Sequence, residues 1–257
     1  MKNYQLLILL ILFPILGMGQ EFVVNTPNGV IVRDSPNGKK VGKLFNGTKL
    51  TVEKKLAAFS VTDNGKIIDG NWVKVKIDPS NFEFNEDLNS SYDLDKLYLF
   101  DGFITSLEDY LNEKELIISK YSALKNYYLA KDYNVFALKG DFFGDGIQDD
   151  LFRMIDENGS VRIIILNHQQ DGSKIYGLGG LKDPFSINDY DFGVLSKVPK
   201  GTTLWSNYDD DFRELKDVPK NELVKLNYDA IYVHNAEACG GGYIFWKNNK
   251  WNWLQQE

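Results

Sequence analysis

The sequence is punctuated by turn signals that divide it into apolar segments too short for most helices. Asn-Gly or Asp-Gly pairs recur at positions 28–29, 37–38, 46–47, 64–65, 69–70 and 158–159. Such pairs favour the left-handed backbone of tight hairpin turns. Between them, apolar and polar residues alternate, as in Trp72–Ile77, which is typical of strands with one buried face. The sequence therefore predicts a mainly β fold with a short helical segment.

The pattern divides the chain into four segments. Residues 1–19 have the features of a signal peptide, 20–104 predict a small β-barrel with an inserted loop at 78–95, 105–133 a helical connector, and 134–257 a β-rich α+β domain. Helical spacing of apolar residues indicates the connector. Ser106, followed three residues later by Asp109, is a plausible capping pair at its start.

The start of the chain predicts its destination. Lys2 provides a positive charge, Leu6–Leu16 is an apolar run, and Gly17-Met18-Gly19 offers small residues for cleavage. The run is shorter than the roughly 20 residues needed to span a bilayer. We expect cleavage after Gly19, no membrane span after cleavage, and a periplasmic or secreted location.

Charge and composition argue against several classes of function. The formal net charge is −7, with 29 Lys and Arg against 36 Asp and Glu. Nucleic-acid binding is disfavoured because phosphate neutralisation needs clustered basic residues. One Cys excludes an internal disulfide, and two His leave little for a multi-histidine metal centre.

Three blocks near the start of the chain carry a family resemblance. They are Gly29–Pro36, Val41–Leu50 and Asn71–Val75. Together they resemble bacterial SH3-type (SH3b) domains, although Val30-Ile31 replaces the usual Leu-Asn and the insert at 54–70 is long. The resemblance implies a small barrel that docks on the stem or bridge peptide of peptidoglycan, or on another envelope ligand. The ligand contacts that we infer for such a barrel are Arg33, Asp34, Phe45 and Trp72.

An Asp- and Gly-rich loop at 140–150 is a candidate calcium site. Ca²⁺ takes several oxygen ligands from a tight loop, and the spacing provides the carboxylates of Asp141, Asp145 and Asp149 and the backbone carbonyl of Ile147. The loop resembles the calcium loops of FG-GAP/VCBS-type repeats, but Phe143 stands where those loops carry Asn or Asp. The alternative is a turn in which these residues have only a conformational role.

A Cys and a His lie close together near the end of the chain. His234, Glu237 and Cys239 could suggest a thiol nucleophile with its base. SH3b domains often accompany NlpC-type peptidases, but there the Cys comes early and the His far downstream, the reverse of this order. We expect no catalytic residue, with Cys239 a buried free thiol and His168 a turn residue.

For two further features we favour a structural role over a binding role. The aromatic residues near the C-terminus are expected to form a core hairpin, the alternative being an exposed face that stacks on sugars or a partner; they are Tyr243, Phe245, Trp246, Trp251 and Trp253. The acidic run Asp209–Asp211 is expected to be a solvated loop rather than a second cation site. The tail from His234 onward resembles the end of secreted proteins of Bacteroidetes-type bacteria.

These observations predict a secreted, non-enzymatic binding protein. Its SH3b-like domain would dock on cell-wall peptide or another envelope ligand. The alternative is a periplasmic protein that binds or inhibits another protein, in an immunity-like role, through the C-terminal domain. A cell-wall hydrolase is the third possibility. Calcium is the one cofactor that the sequence suggests.

Overall fold

The computed structural model describes residues 19–79, 82–84, 93–169, 172–178, 193–209, 211–234 and 240–256. Residues 1–18 of the expected signal peptide, most of the expected loop 78–95, and both Glu237 and Cys239 lie outside this described part. The fold is mainly β with one α-helix in the described residues, which confirms the predicted fold class.

The N-terminal part forms one antiparallel sheet of eight strands, here called sheet 1. Its strands are β1 (Gln20–Val24), β2 (Val30–Arg33), β3 (Lys40–Leu44), β4 (Lys49–Asp63), β5 (Lys66–Ile77), β6 (Phe82–Phe84), β7 (Leu97–Phe100) and β8 (Ile104–Ser106). Their order across the sheet is β6-β3-β2-β7-β5-β4-β1-β8.

Sheet 1 surrounds a single apolar core, yet it does not close. Buried side chains from six strands meet in one cluster, including Val24 of β1, Val32 of β2 and Leu99 of β7. The expected barrel would need its two edges to pair, but β6 and β8 remain the edges of the sheet among the described residues. A physical reason is the shortness of β8, which continues directly into the helix at Leu107.

The expected insert at 54–70 is a two-stranded arm that extends β4 and β5. The two strands pair from Leu50 opposite Ile77 to Asp63 opposite Lys66. Asn64 (φ 49°) and Gly65 (φ 77°) form the tip in the left-handed conformation that the sequence predicts for this pair. Side chains near the tip are exposed, and Ile67 retains 74% of its accessible surface.

The helix α1 (Leu107–Ile118) begins at the predicted capping pair. The Ser106 hydroxyl oxygen accepts the Asp109 N–H at 3.1 Å, so one of the free N–H groups of the first turn is satisfied. Its Tyr110 side chain is buried and donates to the Ala137 carbonyl at 3.1 Å. This bond attaches the helix to the C-terminal part of the chain.

The C-terminal part contains three further antiparallel sheets. Sheet 2 has β9 (Tyr128–Leu129), β10 (Ala137–Gly140), β11 (Asp149–Ile155), β12 (Val161–Gln169) and β13 (Gly172–Tyr176). The remaining strands are β14 (Val194–Val198), β15 (Thr203–Leu204), β16 (Val224–Lys225), β17 (Ala230–His234), β18 (Gly241–Lys247) and β19 (Lys250–Gln256). Sheet 3 has the order β14-β17-β18-β19, and β15 pairs with β16.

Sheet 2 is covered on both faces. One face, with Phe152 and Ile164, packs against Tyr110 of α1 and Val23 of β1. The other face, with Leu151 and Ile163, packs against sheet 3 in a separate cluster that includes the buried Trp251. The continuous apolar runs of β11 and β12 are therefore those of a sheet with no solvated face.

Residues 46–49, here called the joint turn, connect sheet 1 to sheet 2. Asn46 is buried, and its Oδ1 accepts the Lys139 N–H at 3.0 Å. Across the same contact, the Lys49 N–H donates to Asn134 Oδ1 at 2.8 Å. Gly47 (φ 83°) passes so close to β10 that a Cβ there would lie 2.1 Å from the Ala137 carbonyl oxygen.

Two glycine variants test whether this close approach stabilises the fold. Gly65→Ala at the arm tip meets no atom within 4 Å, so we expect only the left-handed backbone cost of about 1–2 kcal/mol. Gly47→Ala has the same backbone cost and adds overpacking against β10, about 1–3 kcal/mol more. Chemical denaturation measures both free energies of unfolding, and equal losses would contradict the tight joint.

Candidate functional site

A groove separates the joint turn of sheet 1 from β14 of sheet 3. It consists of two adjoining cavities of about 520 and 370 Å³. Both are lined by Lys43, Phe45, Lys197 and Pro199, and we call the pair the inter-sheet groove. Concave sites that combine apolar walls with a few polar groups are the usual form of a binding site.

One end of the inter-sheet groove is aromatic. Tyr232 on β17 and Tyr243 on β18 are cross-strand partners with ring centroids 4.9 Å apart. The His234 ring lies 5.1 Å from that of Tyr232. Burial raises the pKa of both tyrosine hydroxyls, so they stay protonated at physiological pH. This end offers flat apolar faces together with hydroxyl groups.

The other end carries fixed charges. Lys197 Nζ lies 3.5 Å from Asp229 Oδ2, and both side chains are largely buried. The Asp229 carboxylate also accepts the N–H groups of Asp141 and Lys200, at 3.1 and 3.0 Å. Lys43 Nζ lies 5.7 Å from the centroid of the Phe45 ring on the facing wall. The hydrogen bonds to Asp229 hold the Asp-Gly loop at this end of the groove.

Thr48 in the wall of the groove has an unsatisfied hydroxyl. Its side chain is fully buried, and within the described part of the chain its Oγ1 finds no hydrogen-bond partner. A buried hydroxyl without a partner costs about 1–3 kcal/mol, so such groups are rare in folded proteins. Thr48 is among the residues that line the larger cavity, but its side chain has no accessible surface, so a ligand in the groove would reach Oγ1 only if the cavity wall moved.

The four SH3b-type contact residues do not form one surface. Phe45 lines the inter-sheet groove. Arg33 and Asp34 lie at the far end of the β2–β3 pair, where Arg33 donates to the Gly38 carbonyl at 2.7 Å. Trp72 is 5% exposed and packs against Phe59 at 5.2 Å, which is a core environment. Only Phe45 therefore lines the groove.

The Asp-Gly loop is organised by carboxylates that accept backbone N–H groups. Asp141 accepts from Gly144 and Gly146, and Asp145 accepts from Ile147. Asp149 is fully buried and accepts from Phe142 at 2.9 Å. Burial, together with the carboxylates of Asp145 and Asp141, raises the pKa of Asp149 from 3.8 to about 7.

Phe143, which stands where the calcium loops of FG-GAP/VCBS-type repeats carry Asn or Asp, has a packing role. Its ring stacks on Tyr176 at 5.0 Å and meets Trp246 and Trp251 edge-on, each at 5.1 Å. The ring thus anchors the loop to the C-terminal hairpin, whose tight Asn248-Asn249 turn is as predicted. The side chain at this position therefore serves packing between the loop and the hairpin.

These contacts bear on the predicted calcium site. Among the described residues, no group of three or more His, Cys, Asp or Glu side chains is arranged to hold a metal ion. A cation would have to share the carboxylates of Asp141, Asp145 and Asp149 with their backbone donors. It would also relieve their mutual repulsion, which contributes to the raised pKa of Asp149. Calcium binding stays a prediction.

The remaining candidate residues are only partly described. His234 lines the aromatic end of the groove, whereas Glu237 and Cys239 lie outside the described residues. Asp209 is exposed, with Oδ2 3.7 Å from Arg213, and Asp210 is outside the described part. No pattern in the sequence indicates Lys43, Thr48 or Tyr232 as site residues, because their proximity depends on the packing of sheet 1 against sheet 3.

Comparison of the chain with protein-family models, with curated proteins and with solved structures gives no match. The SH3b and FG-GAP/VCBS resemblances therefore stay predictions. In the described part of the chain, no helix has both the length and the apolar character needed to cross a membrane.

The raised pKa of Asp149 predicts how stability depends on pH. The folded state keeps a proton that the unfolded chain loses above its ordinary pKa of 3.8, so this group lowers stability as pH rises towards about 7. We expect Asp149→Asn to remove this slope from a plot of melting temperature against pH in chelator.

Calcium and protons would compete at Asp149. Millimolar Ca²⁺ should raise the melting temperature more above the raised pKa than below it, because binding favours the ionised carboxylate. Magnesium at equal concentration is the control. An unchanged melting temperature at every pH would exclude the calcium site.

Proposed function

We propose that the protein is a secreted binding protein of the cell envelope, which takes a peptide of the peptidoglycan type in the inter-sheet groove. The observation that carries this proposal is the lining of the inter-sheet groove, which is aromatic at one end, with Tyr232 and Tyr243, and charged at the other, with Asp141 and Lys200. The buried Thr48 hydroxyl, which has no partner among the described residues, would gain one from a polar group of the ligand if binding moved the cavity wall.

The lining of the groove suits such a peptide. Lys43 and Lys200 can pair with carboxylates, which stem peptides carry on side chains and at their end. Asp141 can accept from an amino group. At the other end, the rings of Tyr232 and Tyr243 offer faces for methyl groups or sugar rings. Charge pairing at one end and apolar contact at the other would fix the direction of the ligand.

The expected location agrees with this ligand. A signal peptide would deliver the chain to the compartment that contains the cell wall. Phe45, which the SH3b resemblance implicates in binding, is also the aromatic residue that both cavities of the groove share. The proposal thus keeps the ligand class that the sequence suggests and moves its site to the boundary between sheets 1 and 3.

Thr48→Val separates a binding role from a structural one. Valine has nearly the same shape and removes the unsatisfied hydroxyl, so we expect a free energy of unfolding that is higher by about 1 kcal/mol or more. The same change should weaken binding of a purified muropeptide about tenfold, equivalent to one hydrogen bond. Calorimetric titration and chemical denaturation measure the two effects.

The control is Thr62→Val on the exposed arm, which should change neither quantity. A Thr48→Val protein that binds like the wild type would contradict a ligand contact at this hydroxyl.

Sedimentation with purified sacculi tests the ligand class itself. The full mature chain should sediment with sacculi, and Phe45→Ala should release most of it because the shared aromatic wall is lost. Ile67→Ala on the arm is the matched control for loss of an exposed apolar side chain. If the wild-type protein stays in the supernatant, peptidoglycan is not the ligand.

A second candidate function rests on a separate apolar patch. Tyr208, Phe212 and Leu215 are 47%, 65% and 43% exposed and lie within eight residues of each other along the chain. Tyr208 and Phe212 are bridged as antiparallel partners. This patch favours a protein-binding or inhibitor role for the C-terminal part. A periplasmic protein that is retained by the wild type and lost with Phe212→Ser would support that role.

A further inference from the structure

Three strands of sheet 2 bring together an aspartate, a histidine and a serine. His168 Nε2 lies 2.9 Å from Asp150 Oδ2, and His168 Nδ1 lies 3.1 Å from Ser173 Oγ. The register places His168 directly opposite Ser173 on the β12–β13 pair. His168 is therefore a strand residue with two side-chain partners rather than the turn residue that the sequence suggests.

The donor and the acceptor of each hydrogen bond between these three side chains can be assigned from the chemistry of the groups. If Nε2 donates its hydrogen to the Asp150 carboxylate, the lone pair of Nδ1 is left to accept a hydrogen bond from Ser173. The Ser173 hydroxyl then donates to Nδ1, and its oxygen accepts from the Tyr121 hydroxyl at 2.9 Å. The result is a directed relay from Tyr121 through Ser173 and His168 to Asp150.

The exposure of the three groups follows the order expected of a nucleophile, a base and an orienting acid. Ser173 is exposed, the His168 side chain is 27% exposed, and that of Asp150 is 7% exposed. Lys139 Nζ lies 3.9 Å from Asp150 Oδ1 and 3.2 Å from Glu113 Oε1.

We propose that Ser173 and His168 are catalytic residues of an esterase-type site, with Asp150 as the positioning residue. Constellations of this kind occur on unrelated folds and are recognised by geometry and role. The proposal departs from the sequence-based expectation of no catalysis, and it uses no residue that lines the inter-sheet groove.

The reaction would proceed through an acyl-serine. Ser173 Oγ bonds to the ester carbonyl carbon while its proton passes to His168 Nδ1, and Tyr121 donates to the carbonyl oxygen as negative charge develops there. The adduct expels the alcohol oxygen, which takes the proton from Nδ1. Water then attacks the acyl carbon through the same base, which releases the carboxylic acid and restores the Ser173 hydroxyl.

The neighbouring cavity indicates the class of ester. Tyr121 also lines a cavity of about 490 Å³, whose walls include Ile118, Leu124 and Leu129. The apolar side chains suit a short alkyl or aryl group, and Glu115, Lys125 and Lys131 also line this cavity. The substrate class that we infer is therefore a carboxylic ester with an apolar acyl chain.

Covalent labelling of the full mature chain tests the nucleophile. An alkyl fluorophosphonate should form a P–O bond with Ser173 and release fluoride together with the serine proton, so the peptide that contains this residue gains the mass of the reagent less that of HF. 4-Nitrophenyl butyrate should be hydrolysed, with the rate reduced by about 100-fold or more in Ser173→Ala and in His168→Gln. Asp150→Asn should lower kcat with KM unchanged, because Asp150 acts through His168.

Ser60 provides the matched control. Its hydroxyl also donates to a carboxylate, that of Asp69 at 2.6 Å, but Ser60→Ala on the arm should leave both labelling and hydrolysis unchanged. The melting temperature of each variant shows whether the fold is retained. Folded wild-type protein that takes no label, or hydrolysis that persists in Ser173→Ala, would overturn the proposal.

Discussion

Two asparagine side chains connect the halves of this molecule. Lys139 lies on β10, an edge strand of sheet 2, and its N–H is satisfied by Asn46 of the joint turn. In the opposite direction, Asn134 satisfies the Lys49 N–H. Each such hydrogen bond contributes about 0.5–1.5 kcal/mol net relative to bonds with water, so both bonds favour the packed arrangement of the halves. Because these bonds position residues 46–49, they also determine where Thr48 stands in the wall of the inter-sheet groove.

Sheet 2 is the layer against which α1, sheet 1 and sheet 3 all pack. Its two apolar faces are covered by α1 and by sheet 3, so the strands of sheet 2 determine the positions of both. The two buried carboxylates of β11 lie at the start of this strand, next to the Asp-Gly loop. Asp149 faces the Asp-Gly loop and Asp150 faces His168, so adjacent residues of one strand serve two different environments.

The sequence predicted what local chemistry decides. Asn64, Gly65 and the Asn248-Asn249 pair adopt left-handed turns because few other residues tolerate that backbone, and Ser106 caps α1 through a contact three residues away. The groove could not be predicted, since Phe45 and Tyr232 meet only through packing of distant sheets. Trp72 fits the strand alternation whether its side chain binds a ligand or packs in the core, so the pattern could not distinguish these two roles. His168 gains its partners from two other strands, beyond the reach of spacing arguments.

The β4–β5 hairpin differs in local stability between its base and its tip. Near its base, Val73 and Val75 of β5 are also paired with β7 and belong to the core of sheet 1. Towards Asn64 the ribbon has only its own ladder, and an isolated pair of strands is marginally stable in water. The tip can therefore fray without disturbing the base. Amide hydrogens along the same two strands should pass from rapid exchange with solvent to exchange that requires unfolding of the whole sheet.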